Sequence, residues 1–440
     1  MTPPGDWHVD RLVVENFRCF ERLEVTFDPS CTVLVGVNGS GKTAILDALA
    51  IVLSTIVRAF DGDTRGFGRD DAREIVGDLT SESAVAQMEA VYPVEARAEG
   101  MIAGSPYRWR RSRSSSRGRT TWSDDGGVGL ASSRIWRGSA KNIESAPMLP
   151  VIALYGVERL VGVRRASGEI ARSRSGAYDS TLDGRSDLSR LSSFIEALTL
   201  SVFVANEHGA EATAGRAQLE AIRLACNGVL ADTGWGDPRW NPVVNELTLA
   251  HPRHGTLPMS FLSSGIRITA GLVIDLVSRA ARANPRFGAG ELLSRTPGIV
   301  LVDEVDLHLH PTWQQRILPL LRETFPRVQF IVTTHSPQVL STVEAESIRI
   351  IDGNTVHHAD YAAGLRSDVI LQRILATDPE PDLPINEDLE RYVRLVDQGE
   401  GRSDRARRLR RIVDEELGGV TNVPQLADAD ASIAFYDLDD

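Results

Sequence analysis

The feature that most constrains this chain is a glycine-rich segment at residues 36–43, with the sequence Gly-Val-Asn-Gly-Ser-Gly-Lys-Thr. Two glycines with four residues between them, followed by Lys and a hydroxyl residue, form the phosphate-loop pattern. A strand-like apolar stretch, Thr32 to Val35, precedes it, and a helix-like apolar stretch, Ala44 to Val57, follows it. This context disfavours a chance match on a glycine-rich turn and predicts an α/β P-loop NTPase fold.

This loop is predicted to bind the phosphates of ATP. Backbone N–H groups of a glycine-rich loop form an anion-binding nest, and the following helix adds its positive end. Lys42 would reach the β- and γ-phosphates, while the Thr43 hydroxyl would bind Mg²⁺, the expected cofactor. The predicted ATP contacts in this loop are Gly36, Asn38, Gly39, Ser40, Gly41, Lys42 and Thr43.

A second apolar run, Ile299 to Val302, ends in two adjacent carboxylates, Asp303 and Glu304. A buried strand of this kind could deliver Asp303 beside the phosphate loop, where it would bind Mg²⁺ directly or through water. Glu304 would polarise the attacking water as a general base. Two acids at a strand end are as often plain surface residues, but the phosphate loop favours the catalytic interpretation.

Three weaker signals lie in the second half of the chain. Ser263 and Gly265 open a helix-like segment, where backbone N–H groups can meet an anion, but alone they indicate only a helix cap. His335 ends an apolar strand, and a lone histidine there is more often structural than catalytic. His308 and His310 lack two further ligands nearby, so they do not predict a zinc site.

The order of these motifs resembles the ABC-type ATPase heads of the SMC and RecF group, and within it the bacterial AAA-domain ATPases of the Septu PtuA type. The resemblance implies a head with a β-rich N-terminal lobe and an inserted helical lobe. It covers most of the chain and rests on Asn16-Phe17 and on residues 32–39, 149–156, 303–311 and 333–338.

The resemblance also implies a composite active site. Two heads would meet face to face with ATP between them, as an ATP-dependent dimer or a higher homo-oligomer. Ser263 and Gly265 of one subunit would then touch the γ-phosphate bound by Lys42 of the other. His335 would sense that phosphate as the switch histidine, and residues 306–310 would cross the interface.

The patterns divide the chain into four segments. Within the second of them, residues 61–150 show the least clear pattern. The glutamine that such heads usually supply to Mg²⁺ has no clear counterpart, and Gln87 matches only in position. The segments are 1–60 with the N-terminal strands and the phosphate loop, 61–258 as an insertion with strand-rich and helical parts, 259–360 with Ser263, Asp303 and His335, and 361–440 as a charged helical tail.

The net charge of −12 provides no long-range attraction to nucleic acid, although a local basic groove stays open as an alternative. Arginines between Arg108 and Arg119 have Tyr107, Trp109 and Trp122 beside them, which leaves a solvated loop and a nucleic-acid contact equally supported. A second cluster, from Arg402 to Arg411, has no aromatic neighbour and favours a charged helix face. Acids from Asp428 to Asp440 are interpreted as a solvated tail rather than as a nuclease site.

The sequence predicts a cytoplasmic protein without a membrane span. The N-terminus has no basic-then-apolar signal pattern, and the three cysteines show no zinc or disulfide spacing. The longest apolar stretch, Ala44 to Val57, contains an aspartate and falls short of the ~18 residues that a membrane helix needs.

Three functions remain open at this stage. The first is a sensor or regulatory ATPase of an anti-phage defence system that acts with a separate HNH-type nuclease. The second is a RecF-like DNA-repair ATPase that binds duplex DNA. The third is an ATP-switched scaffold in which hydrolysis only resets the assembly.

Overall fold

The computed structural model describes residues 6–76, 88–122, 125–141, 148–158, 174–184, 188–209 and 212–436. Its strands in these ranges are β1 His8–Phe17, β2 Phe20–Thr26, β3 Cys31–Val35, β4 Glu74–Val76, β5 Met88–Ala90, β6 Val94–Ile102, β7 Ser105–Arg113, β8 Val151–Tyr155, β9 Gly236–Asn241, β10 Glu246–His251, β11 Gly255–Pro258, β12 Gly298–Val302, β13 Val328–Thr333, β14 Ile348–Asp352 and β15 Thr355–His358. Its helices are α1 Lys42–Ala59, α2 Val128–Lys141, α3 Leu188–Glu207, α4 Thr213–Val229, α5 Ser264–Ala283, α6 Ala289–Arg295, α7 Pro311–Thr324, α8 Pro337–Leu340, α9 Ser367–Arg373, α10 Pro384–Asp397, α11 Asp404–Leu417 and α12 Pro424–Tyr436.

A six-stranded sheet in the order β15-β14-β3-β13-β12-β8 forms the centre of the fold. All neighbouring strands from β14 to β8 are parallel, and β15 joins β14 as an antiparallel edge hairpin. Every residue of β3, β8, β12 and β13 is buried, as expected for parallel strands covered on both faces. The predicted α/β P-loop fold is confirmed. Because parallel strands end at one edge, the segments after β3, β12 and β13 meet there.

A second, antiparallel sheet in the order β2-β1-β6-β7 forms the predicted β-rich N-terminal lobe. Helix α1 contacts strands of both sheets, and its residues from Ala44 to Val57 are buried. Its apolar side chains share one core with those of β1, β6 and the central strands. This packing explains why the sequence of α1 is apolar on all sides rather than amphipathic.

The helical lobe contains α3 and α4, which pack on each other and on α5. Both helices lie in segment 61–258, for which the sequence predicted helical parts. A small antiparallel sheet, β11-β10-β9, accompanies these helices. The sequence analysis named no strands there, because its short segments are interrupted by glycine, proline and asparagine.

Two buried side chains of β7 correct the earlier interpretations for part of the first arginine cluster, while Arg108, Arg117 and Arg119 are exposed and stay untested. Arg111 is fully buried: its Nε donates to the Thr121 carbonyl at 2.7 Å, and its guanidinium lies 3.5 Å from the Trp122 ring centroid. Burial, with Arg58 nearby, lowers the pKa of Arg111 to about 10. Trp109 is also buried and donates to the Val52 carbonyl on α1 at 3.0 Å. These side chains attach β7 to α1, so they are neither a solvated loop nor a nucleic-acid contact.

The chain divides into two compact units, Met1–Ile370 and Leu371–Asp440. The second unit has its own core, formed by Leu389, Tyr392, Val396, Ala406, Val413 and Leu426 among others. Asp428 and Asp430 lie on α12, and Asp430 pairs with Arg410 on α11. Both acids are exposed, as the interpretation as solvated residues expected, but they lie on a folded helix rather than on a tail. Asp437, Asp439 and Asp440 lie outside the described residues.

Among the helices of the described ranges, none combines the length and the apolar character that crossing a membrane requires.

Candidate functional site

The phosphate loop runs from β3 into α1 in a conformation that requires glycine. Gly39 and Gly41 have φ angles of 83° and 92°, in the left-handed region. A Cβ atom on Gly41 would stand 2.2 Å from Cζ of Phe20 and 2.8 Å from Sγ of Cys19. The Ser40 hydroxyl is buried and has no hydrogen-bond partner among the described residues. A buried hydroxyl in a glycine cradle fits a phosphate oxygen as its partner.

Lys42, the first residue of α1, points back over this loop. Its Nζ donates to the carbonyls of Gly36 at 2.9 Å and Val37 at 3.1 Å. Burial lowers the pKa of the Lys42 amine, and Asp303 and Glu304 oppose that shift. Both acids therefore lie within electrostatic reach of the amine.

Asp303 directly follows β12 and contacts the phosphate-loop helix. The Thr43 hydroxyl donates to Oδ2 of Asp303 at 2.9 Å, across 260 positions of sequence. The Thr333 hydroxyl donates to the other carboxylate oxygen at 2.6 Å, and the Asp303 N–H donates to the Tyr155 carbonyl at 2.8 Å. The structure thus brings together the two side chains predicted to bind Mg²⁺, and both offer oxygen atoms, which Mg²⁺ prefers.

Thr333 is a site residue that the sequence analysis missed. Its hydroxyl also accepts a hydrogen bond from the Glu304 N–H at 2.8 Å, and its carbonyl accepts one from Val305 at 3.0 Å. Glu304 itself has φ of 48°, which is uncommon for a residue with a side chain. The sequence carried no signal for it, because these contacts follow from the register of β12 and β13, in which Val302 pairs with Val332.

We expect Thr333→Val to lower the free energy of unfolding by about 1–3 kcal/mol, because the Asp303 carboxylate loses a donor and the Glu304 N–H loses an acceptor. Denaturant unfolding of the full chain measures this difference. Thr256→Val is the matched control, since Thr256 is exposed on β11 and should change stability by less than about 0.5 kcal/mol. Equal stability of the two variants would contradict the role given to Thr333.

His335 follows β13 and is exposed at the same edge. Burial and the nearby Lys42 lower the pKa of His335, while Glu304, Asp306 and Asp303 oppose the shift. The imidazole is therefore neutral at pH 7 and lies within electrostatic reach of the phosphate-loop lysine.

Ser263 and Gly265 make no hydrogen bond to the phosphate loop in the part of the chain that the structure describes, and they line a separate cleft. They line a cleft of about 640 Å³ together with His308 and His310. A Cβ atom on Gly265 would stand 2.5 Å from the His308 carbonyl, which explains the glycine at the start of α5. The separate cleft means that the structure does not unite these two residues with Lys42 within one chain.

The remaining sequence expectations have plain outcomes. Asn38 is exposed at the tip of the phosphate loop. Gln87 lies outside the described residues. Within the part of the chain that the structure describes, His308 and His310 belong to no group of three or more side chains that could bind a metal.

A buried network, also missed by the sequence analysis, connects α5 to the end of β8. The Tyr155 hydroxyl donates to Oδ2 of Asp275 at 2.8 Å, and Arg279 Nε donates to the same oxygen at 2.7 Å. Burial and the Asp275 charge raise the pKa of Tyr155 well above its ordinary value. Because the Tyr155 carbonyl accepts from the Asp303 N–H, the helix that begins after Ser263 is linked to the strand beside Asp303.

Comparisons with known proteins match most of the chain. A family model described as "AAA domain" matches residues 11–203, and one described as "AAA domain, putative AbiEii toxin, Type IV TA system" matches residues 173–341. The chain is 25% identical to "Retron Ec83 probable ATPase" of Escherichia coli, over 94% of this chain and 84% of that protein.

Two further relatives match over shorter segments. "Retron Vc95 probable ATPase" of Vibrio cholerae serotype O1 biovar El Tor is 50% identical over 91 residues, which are 21% of this chain and 17% of that protein. "Septu protein PtuA" of Bacillus thuringiensis is 33% identical over 87 residues, which are 20% of this chain and 22% of that protein.

Proposed function

We propose, from the premise that this chain carries AAA domains and is homologous to the retron and Septu ATPases, that it binds ATP and hydrolyses it to ADP and phosphate. The observation that carries the proposal is the contact between the Thr43 hydroxyl and the Asp303 carboxylate, with Lys42 and Glu304 in electrostatic contact beside it. A hydroxyl and an ammonium at the start of one helix, with a carboxylate beside them, are the groups that bind Mg²⁺ and the phosphates of a nucleoside triphosphate.

In this proposal Thr43 and Asp303 hold Mg²⁺, which would neutralise charge on the β- and γ-phosphates. Lys42 exchanges the carbonyls of Gly36 and Val37 for phosphate oxygens. Glu304 accepts a proton from a water molecule as the water oxygen attacks the γ-phosphorus and the bond to ADP breaks. His335, neutral at pH 7, donates its N–H to a γ-phosphate oxygen.

We further propose that the site is completed by a second copy of the chain. Ser263 lies in the cleft with His308 rather than at the phosphate loop, which supports a role against the ATP of the partner copy. ATP would then join two chains, or more in a higher homo-oligomer, and hydrolysis would separate them. Because relatives carry retron and Septu names, we propose a sensor or regulatory role in anti-phage defence. A separate HNH-type nuclease is the partner implied by the family resemblance.

Mixing two inactive variants tests the composite site. Lys42→Ala removes the phosphate-loop cation, and Ser263→Arg fills the position facing the partner, so each variant alone should show no ATP hydrolysis. In a mixed dimer one of the two sites combines an intact Lys42 with an intact Ser263. Random pairing should therefore restore about a quarter of the parent turnover, and the parent's specific activity should rise with its concentration.

Ser294→Arg is the control, since Ser294 is exposed on α6 and should keep full turnover. If the mixture stays inactive while each variant binds and folds as expected, or if Ser263→Arg alone keeps parent activity, the two-chain site is wrong. If Ser263→Arg alone keeps parent activity, the proposal that the protein hydrolyses ATP would still be supported.

A further inference from the structure

Helix α11 carries a row of exposed arginines. There are four of them, and their side chains make no ion pair or hydrogen bond within the described residues. We name these residues the α11 arginine face: Arg405, Arg407, Arg408 and Arg411. They stand on a chain of net charge −12.

Two other arginines of this unit show the usual situation, in which the side chain pairs with acids. Arg410, on the same helix, donates to Asp414 and Asp430. Arg391, on α10, pairs with both Glu387 and Asp388. Acidic partners are therefore common in this unit, and the α11 arginine face stands apart from them.

The four arginines share one side of the helix. Ala406 and Val413 are the buried residues of α11 and point into the core of the unit. At 100° per residue the four arginines occupy the opposite arc, with spacings of three and four residues. From Arg405 to Arg411 the row is about 9 Å long, which matches two or three successive phosphates at ~3.4 Å each.

This placement does not favour helix stability. Arg405 and Arg407 lie in the first turn of α11, where the positive end of the helix dipole disfavours cations. The acids Asp414, Glu415 and Glu416 lie in the last turns, where the dipole disfavours anions. Because these charges are placed against the dipole, the helix dipole does not explain the arginines, whereas an anionic ligand does.

The residue types exposed on α11 indicate which class of ligand the face binds. Ile412, with 38% of its surface exposed, is the one large apolar residue exposed on the described helix α11. A protein interface has an apolar centre, a membrane-binding helix inserts Trp, Phe or Leu, and single-stranded nucleic acid is bound by aromatic stacking. Duplex nucleic acid needs only fixed positive charge. We propose that the α11 arginine face binds the phosphate backbone of duplex nucleic acid without reading its sequence.

The test uses the full chain without nucleotide, so its outcome is independent of ATP hydrolysis. The probe is a fluorescent mixed-sequence DNA duplex of about 30 base pairs, titrated at salt concentrations from roughly 50 to 200 mM. Changing all four arginines of the face to Gln should weaken binding by roughly 10²–10³-fold at about 100 mM salt. The slope of log affinity against log salt should fall by about 0.9 for each arginine, or 3–4 in total.

A matched control removes the same charge from four ion-paired arginines, of which the first is half-buried and the others are exposed: Arg223, Arg239, Arg391 and Arg394. It should change the affinity and the slope far less. Replacing the four face residues by Lys keeps the point charges and should keep binding, which separates charge from folding. A scrambled duplex should bind as tightly as the first.

Three results would overturn the proposal: an unchanged slope in the Gln variant, an equal loss in the matched control, or loss of binding in the Lys variant while the protein remains folded. Binding to anionic phosphatidylserine vesicles but not to the duplex would assign the face to a membrane surface and would equally overturn it.

Discussion

Lys42→Ala is expected to weaken ATP binding about 10²–10³-fold. Truncating one partner of a close charge pair costs about 2–5 kcal/mol, and each 1.4 kcal/mol changes affinity tenfold. The Lys42 amine is buried against the Gly36 and Val37 carbonyls. An exposed cation elsewhere on the surface therefore does not replace the charge that Lys42→Ala removes. Titration with a fluorescent ATP analogue measures the dissociation constant directly.

Lys141→Ala is the natural control, because Lys141 is the only other lysine in the sequence and lies at the end of α2. It removes the same charge from the end of α2 rather than from the phosphate loop and should leave affinity within about twofold, since substitutions outside a binding site change energies by less than ~0.5 kcal/mol. Equal affinities of the two variants would remove Lys42 from the phosphate-binding role and with it the proposed function.

Glu304→Gln is expected to keep ATP binding and to hydrolyse ATP about 10²–10⁴-fold more slowly, which is the usual contribution of a positioned general base. The amide has the shape of the carboxylate but cannot accept a proton from water at neutral pH. Single-turnover hydrolysis with enzyme in excess, compared with equilibrium ATP binding, separates the chemical step from binding.

Glu344→Gln is the control for this substitution, since Glu344 is an exposed acid before β14. Its turnover should match that of the parent. If Glu304→Gln hydrolyses ATP at the parent rate, another group activates the water and the role of Glu304 is lost. A parallel loss of ATP binding would instead show that the amide disturbs the adjacent Asp303.

The sequence was most informative where chemistry and local pattern coincide. The predicted apolar run Ile299 to Val302 coincides with β12, and the predicted apolar strand before His335 is β13, because each is a continuous apolar run ended by polar residues. The resemblance to AAA-domain ATPases of the Septu type is confirmed by the comparisons. The division into four segments and the individual roles of the site residues stay predictions.

The sequence was least informative where a polar side chain is used for packing. Arg111 and Trp109 resemble a nucleic-acid contact in the sequence alone, yet β-strand alternation turns them toward α1, where they donate to the main-chain carbonyls of Ile51 and Val52. Thr333 looked like any strand residue, because its two contacts with Asp303 and Glu304 depend on the pairing of distant strands. Such tertiary contacts have no local pattern.

The left-handed backbone of Glu304, with φ of 48°, has a consequence for protein engineering. A residue with a Cβ pays roughly 1–2 kcal/mol for that conformation, and glycine does not. Ranking substitutions by stability alone would therefore favour glycine at this position and would delete the carboxylate that the proposed chemistry requires. Stabilised versions of this protein should be selected for turnover as well as for melting temperature, because the two criteria conflict at this residue.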